Sequence, residues 1–193
     1  MNNVLKKLVQ SENKRFVLLL FVLIFSLMLS SIIYLVISDG NIRTINYDSI
    51  ALMKFSEIFV STIKRNLIYF IVLILLTILG QSEIIIILFG AVSIYYGLSV
   101  IYLIKALKMS IAYFAMTFTD YIFFFPVLLY FTFISNTTSK YTKKTKNIET
   151  ISHKFDIIKW SYIRLSLIYL FIVTIYSLFY SIYIFILSRL LVG

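Results

Sequence analysis

Five long apolar runs take up more than half of the 193 residues, and they determine the solvent in which this chain folds. The runs are Phe16–Ser38, Leu67–Leu79, Ile84–Ile104, Met109–Ile134 and Leu165–Leu187. A helix rises about 1.5 Å per residue, so about 20 apolar residues cross a hydrocarbon core of about 30 Å. All the runs except Leu67–Leu79 are long enough to cross alone. The sequence therefore predicts a polytopic membrane protein.

The composition agrees with a single membrane domain over residues 1–193. The chain is 61% apolar and its mean hydropathy is +0.99, which is more than a soluble domain can cover. A spanning segment has to satisfy its backbone hydrogen bonds internally, which favours helices. We expect an all-α membrane helix bundle with about five transmembrane helices and one interfacial amphipathic helix.

The boundaries of the spans follow from the apolar runs and their flanks. The interfacial helix is predicted within Tyr47–Arg65, where apolar residues recur at helical spacing, and it can continue into the short second run. The turn Gly80–Glu83 predicts an antiparallel hairpin between the second and third spans. The predicted spans lie near 16–38, 58–79, 84–104, 109–134 and 162–187, and a basic loop is predicted at 135–160.

Basic residues flank the apolar runs and predict the orientation of the chain. The net charge is +10, and most of the 18 lysines and arginines would lie inside if the N-terminus is cytoplasmic and the C-terminus outside. The flanking positions favour contact with anionic lipid over nucleic acid. Within the basic loop we assign lipid contact and topology to Lys140, Lys143, Lys144 and Lys146.

Asp120 and Pro126 make the fourth run unusual. Asp120 lies well inside the run, where an ionised carboxylate costs roughly 2.5–3.5 kcal/mol on insertion scales. It could form a proton or cation site or contact a partner helix, or it could be a protonated or hydrogen-bonded residue at a helix break. Pro126 removes one helical hydrogen bond, so the stretch 119–126 predicts an interruption of the helix.

Gly90 and Gly97 are seven residues apart in the third run. Both can fall on one helix face and allow a neighbouring backbone to approach closely. We treat this face, with Asp120 and Pro126, as a candidate contact with partner proteins.

Catalytic motifs are missing from the sequence. The chain has no cysteine, and its one histidine, His153, is followed by lysine, so neither a zinc protease H-E-x-x-H motif nor a cysteine nucleophile can be formed. We expect no enzymatic activity, no cofactor and no metal.

Four short motifs resemble the stage II sporulation protein M family of small bacterial membrane proteins. An amphipathic segment leads into Lys64–Leu67, an apolar run ends at Ile78–Gly80, and Phe89–Gly90 opens a glycine-containing span. Thr119–Pro126 resembles the proline-bounded stretch of the family. The resemblance covers roughly residues 55–141.

The resemblance implies two functions in the bacterial cytoplasmic membrane. One is a non-enzymatic scaffold that assembles partner membrane proteins, namely the cell-wall hydrolases of sporulation engulfment. The alternative is a protein of a circular bacteriocin locus, acting in maturation, export or producer immunity. The partners that this alternative implies are ABC transporter components and an apolar peptide. A function from another class is a small ABC-type permease subunit with Asp120 on its path.

Overall fold

A computed structural model describes residues 13–37, 53–106, 119–145 and 152–192. Within these residues the chain is α-helical apart from the turns and one π-helical turn. The described helices are α1 (Asn13–Ile37), α2 (Phe55–Ile78), α3 (Ser82–Ala106), α4 (Phe125–Thr145) and α5 (Ser152–Val192). The π-helical turn Asp120–Phe124 directly precedes α4. The all-α prediction is confirmed.

Each of the five described helices is long and apolar enough to cross a membrane. The segments that meet this criterion within the described residues are Asn13–Val36, Phe55–Ile78, Ser82–Ile101, Ile122–Lys143 and Lys159–Arg189. Large apolar side chains such as Phe21, Ile87 and Phe171 point outwards and are 66–71% exposed. An outward apolar surface of this kind is stable in lipid, and the chain is a multi-pass membrane protein.

The predicted hairpin between α2 and α3 is confirmed. Gly80 adopts a φ of +74°, which glycine tolerates without steric cost. The Gln81 N–H donates to the Leu76 carbonyl at 2.9 Å and the Gly80 N–H donates to the Thr77 carbonyl at 3.1 Å. These two bonds form a Schellman cap that ends α2 and reverses the chain.

The amphipathic stretch does not form a separate interfacial helix over the residues that the structure describes. Residues 55–65 are the first turns of α2, which continues without a break through the short apolar run. Glu57 accepts a hydrogen bond from the Lys54 N–H at 3.0 Å, and this contact caps the start of the helix. The prediction for residues 47–52 lies outside the described residues.

The predicted fourth span and basic loop need correction. We expected a span at 109–134 and a loop at 135–160, but α4 extends to Thr145 and α5 already begins at Ser152. The start of the predicted span, up to residue 118, lies outside the described part of the chain. Serine, threonine and asparagine after Ile134 suggested a solvated loop, whereas inside a bundle such side chains find partners on neighbouring helices.

Helix α4 lies between two helix pairs. Helix α1 packs against α3, α2 packs against α5, and α4 contacts all four. The start of α1, the turn at Gly80, the end of α4 and the start of α5 lie at one end of the bundle, which we call the Gly80 end. The opposite end, where α2 begins and α5 finishes, is called the Arg189 end.

Candidate functional site: the enclosed helix α4 and its polar partners

Helix α4 is enclosed on all sides over its middle turns. Every residue from Phe131 to Ser139 is buried. Because a helix turns once in 3.6 residues, nine buried residues in succession leave no side of the helix open. Most of these residues are polar, so the interior of the bundle near the Gly80 end is built from hydroxyl and amide groups.

Asn136 joins three helices at the Gly80 end. Its Oδ1 accepts a hydrogen bond from Nη1 of Arg15 at 2.6 Å, and its backbone carbonyl accepts a second from the same nitrogen at 3.1 Å. Its Nδ2 donates to the Ser82 carbonyl at 2.7 Å. The Asn136 side chain therefore ties the start of α1 and the start of α3 to α4, and the bond to Arg15 is charge-assisted.

Tyr162 joins α2, α4 and α5 on the other side of α4. Its hydroxyl lies 2.8 Å from Ser135 Oγ and donates to Thr77 Oγ1 at 3.1 Å. Tyr162, Thr77 and Ser135 are each at most 1% exposed. Shared hydroxyl bonds of this kind hold helices together where no water competes.

Two further polar contacts hold α2. The hydroxyls of Tyr69 and Thr132 lie 2.9 Å apart, between α2 and α4. Nearer the Arg189 end, Asn66 Nδ2 donates to Ser177 Oγ at 3.0 Å, between α2 and α5. The residue before it, Arg65, lies over the ring of Tyr180 at 5.8 Å from the centroid. Polar residues thus mark the buried stripe of α2.

Aromatic rings fill the space between α2, α4 and α5. Phe131 packs against Phe70 at 5.0 Å and against Tyr169 at 4.7 Å between ring centroids, and Phe124 stacks on Tyr176 at 5.4 Å. The rings are in contact from the Gly80 end towards the Arg189 end. They form an aromatic column whose members are Tyr162, Phe131, Tyr169, Phe70, Phe124, Tyr176 and Tyr180.

Several buried hydroxyls have no hydrogen-bond partner among the residues that the structure describes. They belong to Ser93 on α3 and to Thr137, Thr138 and Ser139 on α4. All four residues are at most 3% exposed. A buried hydroxyl without a hydrogen-bond partner lowers the stability of the fold. Packing alone therefore does not explain three such hydroxyls in succession on α4.

Asp120 and Pro126 flank the start of α4. Asp120 opens the π-helical turn whose last residue, Phe124, stacks on Tyr176 of α5 and contacts Phe70 of α2, in the middle turns of both helices. The Asp120 side chain lies outside the described part of the structure. Pro126 is exposed in the first turn of α4, and the predicted interruption takes the form of the π-helical turn before it.

The glycine face of α3 is covered by α1 of the same chain. A Cβ placed on Gly97 would lie 2.8 Å from Ser30 Cβ and 3.1 Å from Leu27 Cδ2. Gly90 is less confined, since its nearest neighbour is Val22 Cγ1 at 3.5 Å. The predicted close approach of a neighbouring backbone is present, but the neighbour is internal, so this face is not offered to a partner protein.

Of the lysines predicted in a basic loop, Lys140, Lys143 and Lys144 lie on the last turns of α4. Lys140 is half-buried, and Lys143 forms an exposed ion pair with Glu83 at 3.4 Å between Nζ and Oε1. Lys144 also belongs to α4, but its side chain lies outside the described part. Lys146 lies outside it entirely. The structure thus brings Lys140 and Lys143 beside Asn136, and does not bring them near Pro126.

Sequence reasoning missed the residues that form the polar interior. These residues lie at the borders of the apolar runs or in the predicted loop, and the sequence analysis assigns no role to them. They are Arg15, Thr77, Asn136 and Tyr162. One signal was available: glycine and proline are both absent from Val127 to Val192, so nothing in the sequence ends the fourth helix at Ile134.

The arrangement contains hydroxyl, amide and guanidinium groups that bind one another. Among the described residues, no three histidine, cysteine, aspartate or glutamate side chains come together as a metal site would require. No family model, no characterised protein sequence and no solved structure matches this chain.

Proposed function

We propose that this chain is a non-enzymatic scaffold of the membrane that holds partner membrane proteins together. The single observation that carries the proposal is the aromatic column. Phe70 and Phe131 are fully buried and Phe124 is 2% exposed, so the space between α2, α4 and α5 is filled by side chains. A filled interior favours a function at the outer surface over a path through the bundle.

The polar groups support the same proposal. The polar side chains connect helices of the same chain and form their hydrogen bonds inside the bundle, as at Asn136, Tyr162 and Asn66. Surface helices, by contrast, present broad apolar faces to the membrane, as at Phe21 and Ile87. Membrane proteins associate through such faces by close packing.

The resemblance to the stage II sporulation protein M family supplies the class of partner. By that resemblance the scaffold is bacterial, lies in the cytoplasmic membrane with its N-terminus inside, and gathers cell-wall hydrolases. The orientation draws support from the cations at the Gly80 end, including Lys140, Lys143 and Lys159, which would face the cytoplasm.

The test is a purification of tagged protein from its native cell in mild detergent, with mass spectrometry of the proteins that accompany it. The proposal predicts cell-wall hydrolases in amounts comparable to the bait. A tagged five-span protein of unrelated sequence is the control for detergent carry-over. An ABC ATPase or a small apolar peptide in their place would contradict the scaffold and favour the bacteriocin role, in export or producer immunity. Recovery of the chain alone would leave no partner for a scaffold to hold.

A further inference from the structure

The outer face of α2 changes from apolar to polar part-way along the helix. Ile68 on this face is 60% exposed, and the exposed residues that follow it towards the Arg189 end are Lys64, Ser61 and Glu57. The four residues are spaced by three and four positions, which places them within about 60° around the helix axis. We call this surface the Lys64 face.

The Lys64 face lies beside a part of α5 whose surface is still apolar. Arg65 lies over the ring of Tyr180, and this contact gives the level of Lys64 along α5. From Tyr180 the sequence continues without a charged residue to Arg189, about 13 Å further along the helix. Ile186 in this stretch is 53% exposed. Hydrocarbon therefore extends beyond the level of Lys64, because an exposed apolar surface of this kind is stable in lipid.

Lys64 forms no ion pair with any side chain that the structure describes. Its neighbour Arg65 differs, since Nε of Arg65 donates to Oδ1 of Asn66 at 3.1 Å. The acid on the same face, Glu57, lies about 10 Å away along the helix axis and accepts a hydrogen bond from the Lys54 N–H. An ammonium group within the hydrocarbon is costly, and such groups usually pair with an acid.

We propose that the Lys64 face binds a transmembrane helix of a partner protein that carries an aspartate or glutamate at the level of Lys64. This proposal rests on the proposed scaffold function and names the chemistry of the partner. Charge complementarity selects the acid, and the exposed Ile68 supplies apolar surface against which a helix can pack. A second copy of the chain is disfavoured, since a symmetric pair that meets on this face would place Lys64 against Lys64.

The experiment measures energy transfer between the fluorescently labelled chain and a labelled leucine–alanine transmembrane peptide in phosphatidylcholine vesicles. One peptide carries a single aspartate at the depth of Lys64, and the other carries leucine there. The wild-type chain is expected to bind the aspartate peptide about tenfold more tightly, the size of one interhelical polar contact. Lys64→Leu should bind the two peptides alike. The matched control, Lys54→Leu, removes an exposed lysine at the start of α2 and should keep the preference.

A charge reversal separates pairing from misfolding. Lys64→Asp should lose the preference for the aspartate peptide and gain one for a peptide that carries lysine at the same position. The unfolding midpoint of Lys64→Leu in micelles should be equal to or above that of the wild type, because the substitution removes an exposed cation from apolar surroundings.

Three results would overturn the proposal. Equal binding of the aspartate and leucine peptides by the wild type would mean that Lys64 reaches the headgroups and needs no acid. Equal losses in Lys64→Leu and Lys54→Leu would mean that general charge attraction holds the peptide. Energy transfer between two labelled copies of the wild type that Lys64→Leu abolishes would identify a second copy as the occupant.

Failure of this contact can be distinguished from failure of the scaffold. If cell-wall hydrolases accompany the tagged chain but the aspartate peptide is not preferred, the scaffold stands and the Lys64 face is not its contact. If the aspartate peptide is preferred but no protein accompanies the tagged chain, the Lys64 face is confirmed as a helix-binding surface and the scaffold function is contradicted.

Discussion

Helices α1 and α4 are opposites in composition and in position. The α1 span is the most apolar of the five described spans, and 17% of its most apolar 18-residue stretch is buried. The α4 span is the least apolar, and 61% of its most apolar 18-residue stretch is buried. In a soluble bundle the order would be reversed. In lipid, apolar side chains are stable at the surface, and polar side chains are stable where neighbouring helices provide partners.

The contrast extends to the way each helix is held. Helix α4 is held by hydrogen bonds at Asn136 and Ser135 to three other helices. Helix α1 is held against α3 by close approach, since Ser30 donates to the Ile94 carbonyl at 3.0 Å and lies against Gly97. Substitutions should therefore act through lost hydrogen bonds in α4 and through steric overlap at the contact between α1 and α3.

The largest effect is expected for Asn136→Leu. The substitution removes the side-chain acceptor for Arg15 and the donor to Ser82, and a hydrogen bond to a charged group is worth about 1.5–3 kcal/mol. We expect the free energy of unfolding in mixed detergent micelles to fall by about 2–3 kcal/mol. The control is Ser31→Ala, an exposed hydroxyl bonded within α1, which should change it by less than about 0.5 kcal/mol. Equal losses of stability in Asn136→Leu and Ser31→Ala would contradict the claim that interhelical hydrogen bonds hold α4.

A smaller loss is expected for Gly97→Ala. The new methyl group would overlap Ser30, and overpacking of this kind costs typically about 1–3 kcal/mol. Gly90→Ala on the same face should be neutral or slightly stabilising, because its surroundings are at ordinary contact distance and alanine favours a helix. If both alanine variants unfold alike in micelles, α1 does not pack as described.

Tyr162→Phe tests the hydrogen bonds that join α2, α4 and α5 at Tyr162. It removes one hydroxyl from contact with Ser135 and Thr77 and leaves the ring against Phe131, so a loss of about 1 kcal/mol is expected. Tyr95→Phe is the matched control, because Tyr95 is 58% exposed. A double-mutant cycle with Thr77→Val measures the coupling energy between the hydroxyls of Tyr162 and Thr77. Zero coupling would show that these two hydroxyls do not hydrogen-bond to each other.

The smallest effect is expected on the outer face of α1. Phe21 is 67% exposed, so Phe21→Leu exchanges one lipid-facing apolar side chain for another. The free energy of unfolding should change by less than about 0.5 kcal/mol. A loss above 1 kcal/mol in the purified chain would show that this face packs against protein rather than lipid.

The sequence predicts the spans better than it predicts the interior. Apolar runs identify α1 and α3 directly, and Gly80 identifies the hairpin, because run length and a left-handed turn are local properties. The sequence predicts a loop for the enclosed half of α4, because Ser135, Asn136 and Ser139 look the same in a sequence whether water or other helices surround them.

The amphipathic start of α2 gives the same lesson. The apolar residues that recur at helical spacing within 47–65 include Phe55, Phe59 and Ile63, and the predicted interfacial helix would turn them to lipid. In the structure these three are half-exposed, and the buried stripe of α2 contains Ile58, Thr62 and Asn66. Which face turns inward depends on partners from α5, such as Ser177, and those partners are distant in sequence.

The most direct test of the account is the oxygen accessibility of spin labels placed one at a time in the reconstituted protein. The chain has no cysteine, so single-cysteine variants can be labelled without changing any other residue. Labels at positions 131–139 of α4 should show uniformly low accessibility to oxygen from the lipid. Labels along 17–28 of α1 should alternate with the helical period, with maxima at Phe21, Phe25 and Met28. A helical alternation across 131–139, with one side as accessible as Phe21, would contradict the enclosure of α4.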